Sequence, residues 1–566
     1  MRAKKLAFAL VPTVAALGLL PLGAAPAHAA TVTTYYVSPT GSDSNSGTST
    51  SAPWQTIAKV NATTFAEGSI VEFEGGQSFT GCLDFNTTNV PASSASTPFI
   101  VGSYDGETAT ISSNCTGDYS AAITADDVSG FELNNVKVVN GSTTAAGVLL
   151  ENQTSTTAAE GMTVEDSDIS GFSTPSGSSS SFGGQIMVLG YAVNSNDGPL
   201  DDVQILDNKL HGASVTDASG AGIAGWGDGE NITNVTVAGN SVYDLGMQAK
   251  ETGAAITADG WSTAVISHNL VHDIGANVTS CGGTAGIETY TSDNVTVRYN
   301  EVYNVQPSTF TAGCDWDGID LDGGTQNSVV QYNYTHNNGG AGLLAYTSTA
   351  GGSTWGPNTY RYNISENDDS VHAEGGLMDI VPNAPSNNAL QVYGNTFYDG
   401  NAQKTLSTGS ACFYIGYAAG TWASGSLIED NICDMANKNE YGNTGQFYYN
   451  PYGQTGMTLS HNLYYGANTS GWRWGGTTYS TYAAWQTAAL ETDPLWGDPL
   501  FTSAGAGGTC TWTPSTRTGP APCPQAYTLT SGSPAASTGV AVSGNGGVDY
   551  YQDTIPSTPN VGADAG

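Results

Sequence analysis

Asn294-Val-Thr-Val-Arg-Tyr-Asn300 alternates apolar and polar side chains up to a closing asparagine, the period-two pattern of a strand with one face buried. The same apolar-x-x-Asn ending recurs at Ile205/Asn208, Val237/Asn240, Ile266/Asn269, Val330/Asn333, Tyr360/Asn363, Val392/Asn395, Ile428/Asn431 and Leu459/Asn462. From Asn208 to Asn462, successive asparagines are 32, 29, 31, 33, 30, 32, 36 and 31 residues apart. Residues 128–138 and 161–170 read as two degenerate earlier copies. The strand period and the density of Gly, Asn and Thr exclude a helical solenoid. Strands that recur in one direction with no hairpin signal between them pair in parallel. The chain therefore reads as an all-β, single-stranded parallel β-helix with roughly 30 residues per coil. Its asparagine column is structural, each amide bonding backbone and neighbours up and down the stack.

The ends lack the repeat and serve as the caps that an open solenoid needs. Residues 31–105 read as N-terminal cap and first coils, 106–470 as the β-helix and 471–566 as C-terminal cap. Pro53 to Asn61, with Trp54, Ile57, Ala58 and Val60, is expected to form a short amphipathic helix over the first coil. Residues 1–30 carry Arg2, Lys4 and Lys5, then an uncharged stretch from Leu6 to Gly23, then small residues from Ala25 to Ala30. That is the pattern of a cleaved export signal, so the mature protein is expected to be secreted, extracellular and free of a membrane span.

Eight cysteines suit four disulfides in an exported chain. Cys82 and Cys115, like Cys281 and Cys314, are 33 residues apart, one coil, so each pair is expected to stack and bond. Cys412–Cys433 and Cys510–Cys523 complete the expected set. No Cys-x-x-Cys pair suggests zinc. Without the leader, ten basic side chains face 50 acidic ones, which excludes nucleic acid and anionic membrane as partners. A monomer is expected.

A second strand follows most asparagines by ten to twenty residues. Its copies include Gly222-Ile-Ala-Gly-Trp226, Ala255-Ile-Thr-Ala-Asp259, Gly286-Ile-Glu-Thr-Tyr290, Gly318-Ile-Asp-Leu-Asp322, Gly342-Leu-Leu-Ala-Tyr346, Gly376-Leu-Met-Asp-Ile380 and Ala411-Cys-Phe-Tyr-Ile415. With the second position in the core, the third and fifth point outward. Those positions bring Trp226, Asp259, Glu288, Tyr290, Asp320, Asp322 and Tyr346 to one face. Stacked carboxylates cost free energy unless a proton, a cation or a task offsets them.

Tyr35 to Thr48 with Pro53-Trp-Gln-Thr-Ile57, and at the other end Asp498-Pro-Leu-Phe501, Leu529 to Ala535 and Asn560-Val-Gly-Ala563, resemble secreted right-handed β-helix proteins of the pectate-lyase-like superfamily. The resemblance implies a right-handed coil and carbohydrate chemistry, shared in that superfamily among glycoside hydrolases, polysaccharide lyases, epimerases and phage-tail-like binding proteins. Cys314-Asp-Trp-Asp-Gly-Ile-Asp-Leu-Asp-Gly-Gly324 resembles the acid-rich rung of polygalacturonases. By that resemblance Asp320 and Asp322 are the catalytic acid and base, with Glu288 and Asp259 as partners. The Gly-His-Gly and Arg-Ile-Lys motifs of that family are absent, so another glycosidase specificity is expected.

Two carboxyl groups flanking a glycosidic bond satisfy glycoside hydrolysis without a cofactor, and Trp226, Tyr290, Tyr346, Asp317 and His372 are candidates for holding a polysaccharide or oligosaccharide. About 6.5 Å between the Cα atoms of Asp320 and Asp322 favours the wider, inverting arrangement. Two alternatives stand beside it. In a calcium-dependent lyase, Asp315, Asp317, Asp320 and Asp322 would bind the ion and Lys250 or Arg298 would take the proton. In a carbohydrate-binding protein, the same face would bind without catalysis.

Overall fold

Each residue just before a repeat asparagine adopts the left-handed backbone conformation, as at Asp207, Gly239, His268, Tyr299, Tyr332, Tyr362, Gly394, Asp430 and His461. That kink turns the chain sharply out of one strand and into the next. The buried asparagine then ties the corner. Asn240 donates from its backbone and from Nδ2 to Asn269 Oδ1, both at 3.0 Å, and Nδ2 also reaches Ile205 O. The same bonds link Asn208 through Asn462. Glu491 ends the ladder, its Oε1 accepting from Asn462 Nδ2 at 3.1 Å.

The structure is a computed structural model describing residues 32–153, 157–174, 182–190, 198–213, 220–227, 231–246, 254–277, 284–306, 315–371, 375–382, 386–400, 410–416, 418–435, 446–466, 472–510 and 523–566. The leader sequence, Lys250, His372 and the expected Cys281–Cys314 pair lie outside these residues. The other three expected disulfides are formed, with Cα separations of 6.2, 5.9 and 5.8 Å.

Three long sheets wind around one apolar core. A coil runs from the first sheet (for example Asp293–Arg298) through the asparagine corner into the second (Glu301–Val305), then to the third (Asp317–Leu321). Between neighbouring coils the pairing is parallel in each of the three sheets, with Ile266 beside Val297, Val271 beside Val302 and Ile287 beside Ile319. The first and third sheets carry the two strands expected for each coil; the second sheet is an addition to them. Its strands are short and follow the asparagine directly, yet Ser-Val-Tyr-Asp-Leu245, Leu-Val-His-Asp-Ile274 and Glu-Val-Tyr-Asn-Val305 repeat an apolar spacing that marks it.

Inside the coil, Val295 and Val297, Val302 and Val305, and Ile287 and Ile319 are buried from the three sides. Full burial of each such side chain contributes about 1.5–3 kcal/mol. At the start, the helix Ile57–Asn61 is capped by the Thr56 side chain and buries Ile57 and Val60. At the end, the helix Tyr482–Ala489 places Trp485 against Trp472 and Tyr448. The remaining chain runs back along the flank, where Glu301 accepts from Cys510 N, Asp430 from Val540 N, and Tyr332 donates to Val548 O. No helix among the described residues is long and apolar enough to cross a membrane.

Candidate active site

The outward face of the third sheet carries two columns set by register. One runs Met187, Ala224, Thr257, Glu288, Asp320, Leu344, Asp379; the other runs Leu189, Trp226, Asp259, Tyr290. Side chains two apart on a strand share a face, so Asp322 and Tyr346 continue the second column. Asp322 N donates to Thr289 O at 2.8 Å, holding it beside the preceding rung. The chain then leaves the strand through Gly323 and Gly324. A side chain on Gly323 would collide with Ser348 Oγ, and Gly324 has φ +74°. This tight exit aims the Gly323 N–H at Asp322 Oδ1.

Glu288, Asp320 and Asp322 converge: one oxygen from each lies within 4.8 Å of the others. Glu288 is 3% exposed and Asp320 7%. Glu288 Oε2 and Asp320 Oδ1 have no hydrogen-bond partner among the described residues. Burial pushes both carboxyls well above the usual carboxylate range, helped by the neighbouring Asp322 charge. Asp322 is raised to about 6, by burial, opposed by the Gly323 N–H. The site thus sets one carboxyl raised to about 6 against two pushed well above the usual carboxylate range, a difference of the kind acid–base work uses.

Asp259 stands at the rim, half-buried, accepting from Thr291 Oγ1 at 2.6 Å. Tyr290 and Tyr346 are half-buried in the same column, and Trp226 precedes Asp259 by one rung. Asp315 and Asp317 do not join the cluster of three. Asp315 is exposed, and Asp317 is buried at the strand's start, where it accepts from Ala341 N at 2.6 Å. The oxygen set that suits a cation is therefore Glu288, Asp320 and Asp322, not the four aspartates read from the segment. Arg298 belongs to the first sheet, whereas Glu288 and Asp320 stand on the third. His336 is a buried second-sheet residue paired with Glu301 at 3.1 Å and stacked on Tyr303 and Tyr334.

Asp379 was missed. The sequence alignment set Gly376 beside Gly342, but the pairing sets Met378 beside Leu343 and Asp379 beside Leu344. The corner position, where a side chain on Gly286 would meet Val302, is filled by Leu377 and Cys412 in later coils. A one-residue slip exchanges the faces of a strand, which hid Asp379 among core positions. It is buried, accepts from Gly376 N at 2.7 Å, and is raised well above the carboxylate range by burial and by Asp317 and Asp369.

Residues 201–403 match the family described as "Right handed beta helix region". The chain is a right-handed parallel β-helix protein. It is 25% identical over 531 residues to a lacto-N-biosidase of Bifidobacterium longum subsp. longum, an alignment covering 76% of this chain and 30% of that protein. The β-helix chain thus spans under a third of the length of this curated relative. A solved GH136 lacto-N-biosidase from Eubacterium ramulus aligns over 70% of this chain and 67% of its own at 16% identity, with a TM-score of 0.50. A solved pectate lyase aligns over 94% and 95% at 12% identity, with a TM-score of 0.36.

Proposed function

We propose that this β-helix protein is an exported glycoside hydrolase that cleaves an oligosaccharide by carboxylate chemistry. The observation that carries the reading is the convergence of Glu288, Asp320 and Asp322 within 4.8 Å, two of them buried with one oxygen that has no hydrogen-bond partner among the described residues. Asp322 acts as the ionised partner, and Glu288 or Asp320 protonates the leaving oxygen. A spacing this narrow supports a retaining course, with Asp322 as nucleophile, rather than the inverting one suggested by Cα spacing along the strand. The likeness to a lacto-N-biosidase makes a lacto-N-bioside the first substrate to test. Trp226, Tyr290 and Tyr346 supply the aromatic surfaces against which sugar rings pack.

The test is release of chromophore from an aryl lacto-N-bioside, beside a panel of neutral and uronic polysaccharides read for reducing ends and for absorbance near 235 nm. Asp322→Asn and Glu288→Gln are run in parallel, with and without chelator. Turnover without the ultraviolet signal, abolished in both variants and indifferent to chelator, supports the reading. The same three oxygens also suit a hard cation; a chelator-sensitive ultraviolet signal would replace hydrolysis with a calcium-dependent lyase.

A further inference from the structure

Thr257 is paired in register with Glu288, which is paired with Asp320. All three are buried, Thr257 at 1% exposure. Thr257 Oγ1, like Glu288 Oε2 and Asp320 Oδ1, has no hydrogen-bond partner among the described residues. Buried polar atoms in native proteins are nearly always paired, and an unpaired one costs free energy. Here three occur on consecutive rungs of one column, spaced about 4.8 Å at the backbone. Thr257 and Glu288 are immediate neighbours, yet neither satisfies the other. The row is bounded by Ala224 on one side and Leu344 on the other, both register partners with no polar group to offer.

We propose that Thr257 is a substrate-binding residue: its hydroxyl, with Glu288 Oε2 and Asp320 Oδ1, forms a three-rung polar row that takes the hydroxyl groups of a sugar ring lying along the solenoid axis. Sugar hydroxyls donate to the two carboxyl oxygens and exchange a hydrogen bond with Thr257, which both donates and accepts. The sugar then extends from the acids toward Ala224 and Trp226, the coil before Asp259. This rests on the hydrolase reading for the identity of the ligand but not for the row itself.

The test compares Thr257→Val, which keeps the shape and removes the hydroxyl, with Thr257→Ser. If the hydroxyl is held for a ligand, Thr257→Val leaves the melting temperature of the sugar-free protein unchanged or raises it by about 1 °C. Its kcat/KM on the sugar cleaved by the wild type falls about tenfold, and Thr257→Ser restores most of it. A melting temperature lowered by several degrees in Thr257→Val would show a structural hydroxyl and overturn the proposal, as would an unchanged kcat/KM. If the wild type cleaves no sugar, the hydrolase reading fails separately. The Thr257 proposal then stands on a lacto-N-biose-induced rise in melting temperature that Thr257→Val loses, and falls if the sugar-free protein is destabilised or no rise occurs.

Discussion

Glu288 and Asp320 are direct partners across two paired strands, and each keeps one buried carboxyl oxygen that nothing among the described residues satisfies. A packed surface has no reason to stack two acids this way, since burial and mutual repulsion both oppose it. Such local cost is the signature of a site held ready for a partner. The amide variants Glu288→Gln and Asp320→Asn should therefore split function from stability. Each is expected to lower kcat at least about 100-fold while raising the melting temperature by about 1–3 °C. Kinetics on the cleaved sugar and a thermal melt check the two halves, and variants that lose activity only because they unfold would contradict this account.

Asp322 is expected to set the pH dependence of the proposed hydrolysis. Its carboxyl is raised from 3.8 to about 6 in the folded protein, so the folded state holds its proton where the unfolded chain has released it. Its contribution to stability is thus fully present below about pH 4 and is lost as pH rises to about 6. Activity is expected to run the other way, because in the proposed mechanism the ionised carboxylate is the working form. The acid limb of kcat/KM is expected to rise with an apparent pKa of about 6. Over the same interval the wild-type melting temperature should fall relative to Asp322→Asn. Parallel melts and rate profiles from pH 4 to 8 test both signs; a wild type that gains stability over the variant with rising pH would reverse them.

The stereochemical course follows from the same three residues. Asp320 and Asp322 lie on one strand and read from the backbone as a wide pair. The oxygens, however, close to within 4.8 Å and include Glu288 from the neighbouring rung. Retaining enzymes hold their carboxyls about 5–5.5 Å apart, and inverting enzymes leave room for a water between them at about 6.5–9.5 Å. An NMR time course on the freshly cleaved sugar is expected to show the original anomeric configuration first. Initial appearance of the opposite anomer would remove Asp322 as nucleophile.

The asparagine spacing and the alternation around Val295 and Val297 made the coil legible, because a period-two pattern repeated at a fixed interval has one compact solution. The pairing of Glu288 with Asp320 was legible for the same reason: both follow a glycine and an isoleucine that share one corner and one core position. What failed was local. Leu377 fills the corner that Gly286, Gly318 and Gly342 occupy in the three coils before it, so strands lined up on Gly376 slip by one and conceal Asp379. Thr257 was passed over because a threonine in a strand is ordinary. Only the lack of a hydrogen-bond partner for its hydroxyl among the described residues distinguishes it.

The ladder itself should bear most on stability at its middle. Asn333 is fully buried, accepts twice from Asn300, and donates to Val297 O, Gln331 O and Asn363 Oδ1. Asn333→Ala strips partners from several buried groups at once, a loss of about 2–4 kcal/mol, and should lower the melting temperature by several degrees. At the ladder's end, Glu491 accepts from Asn462 Nδ2, and from Tyr464 at 2.7 Å. Glutamine retains that acceptor, so Glu491→Gln should cost little. Burial raises the Glu491 carboxyl from 4.5 to about 7. The stability it contributes is therefore present below about pH 4.5 and lost as pH rises through 7, and the glutamine variant should overtake the wild type above neutrality. Melts of both variants at pH 5 and pH 8 decide the matter: an Asn333→Ala protein as stable as wild type would leave the ladder without an energetic role, and a Glu491→Gln protein weakened further at pH 8 would mean the wild-type carboxylate is stabilised there by its ionised form.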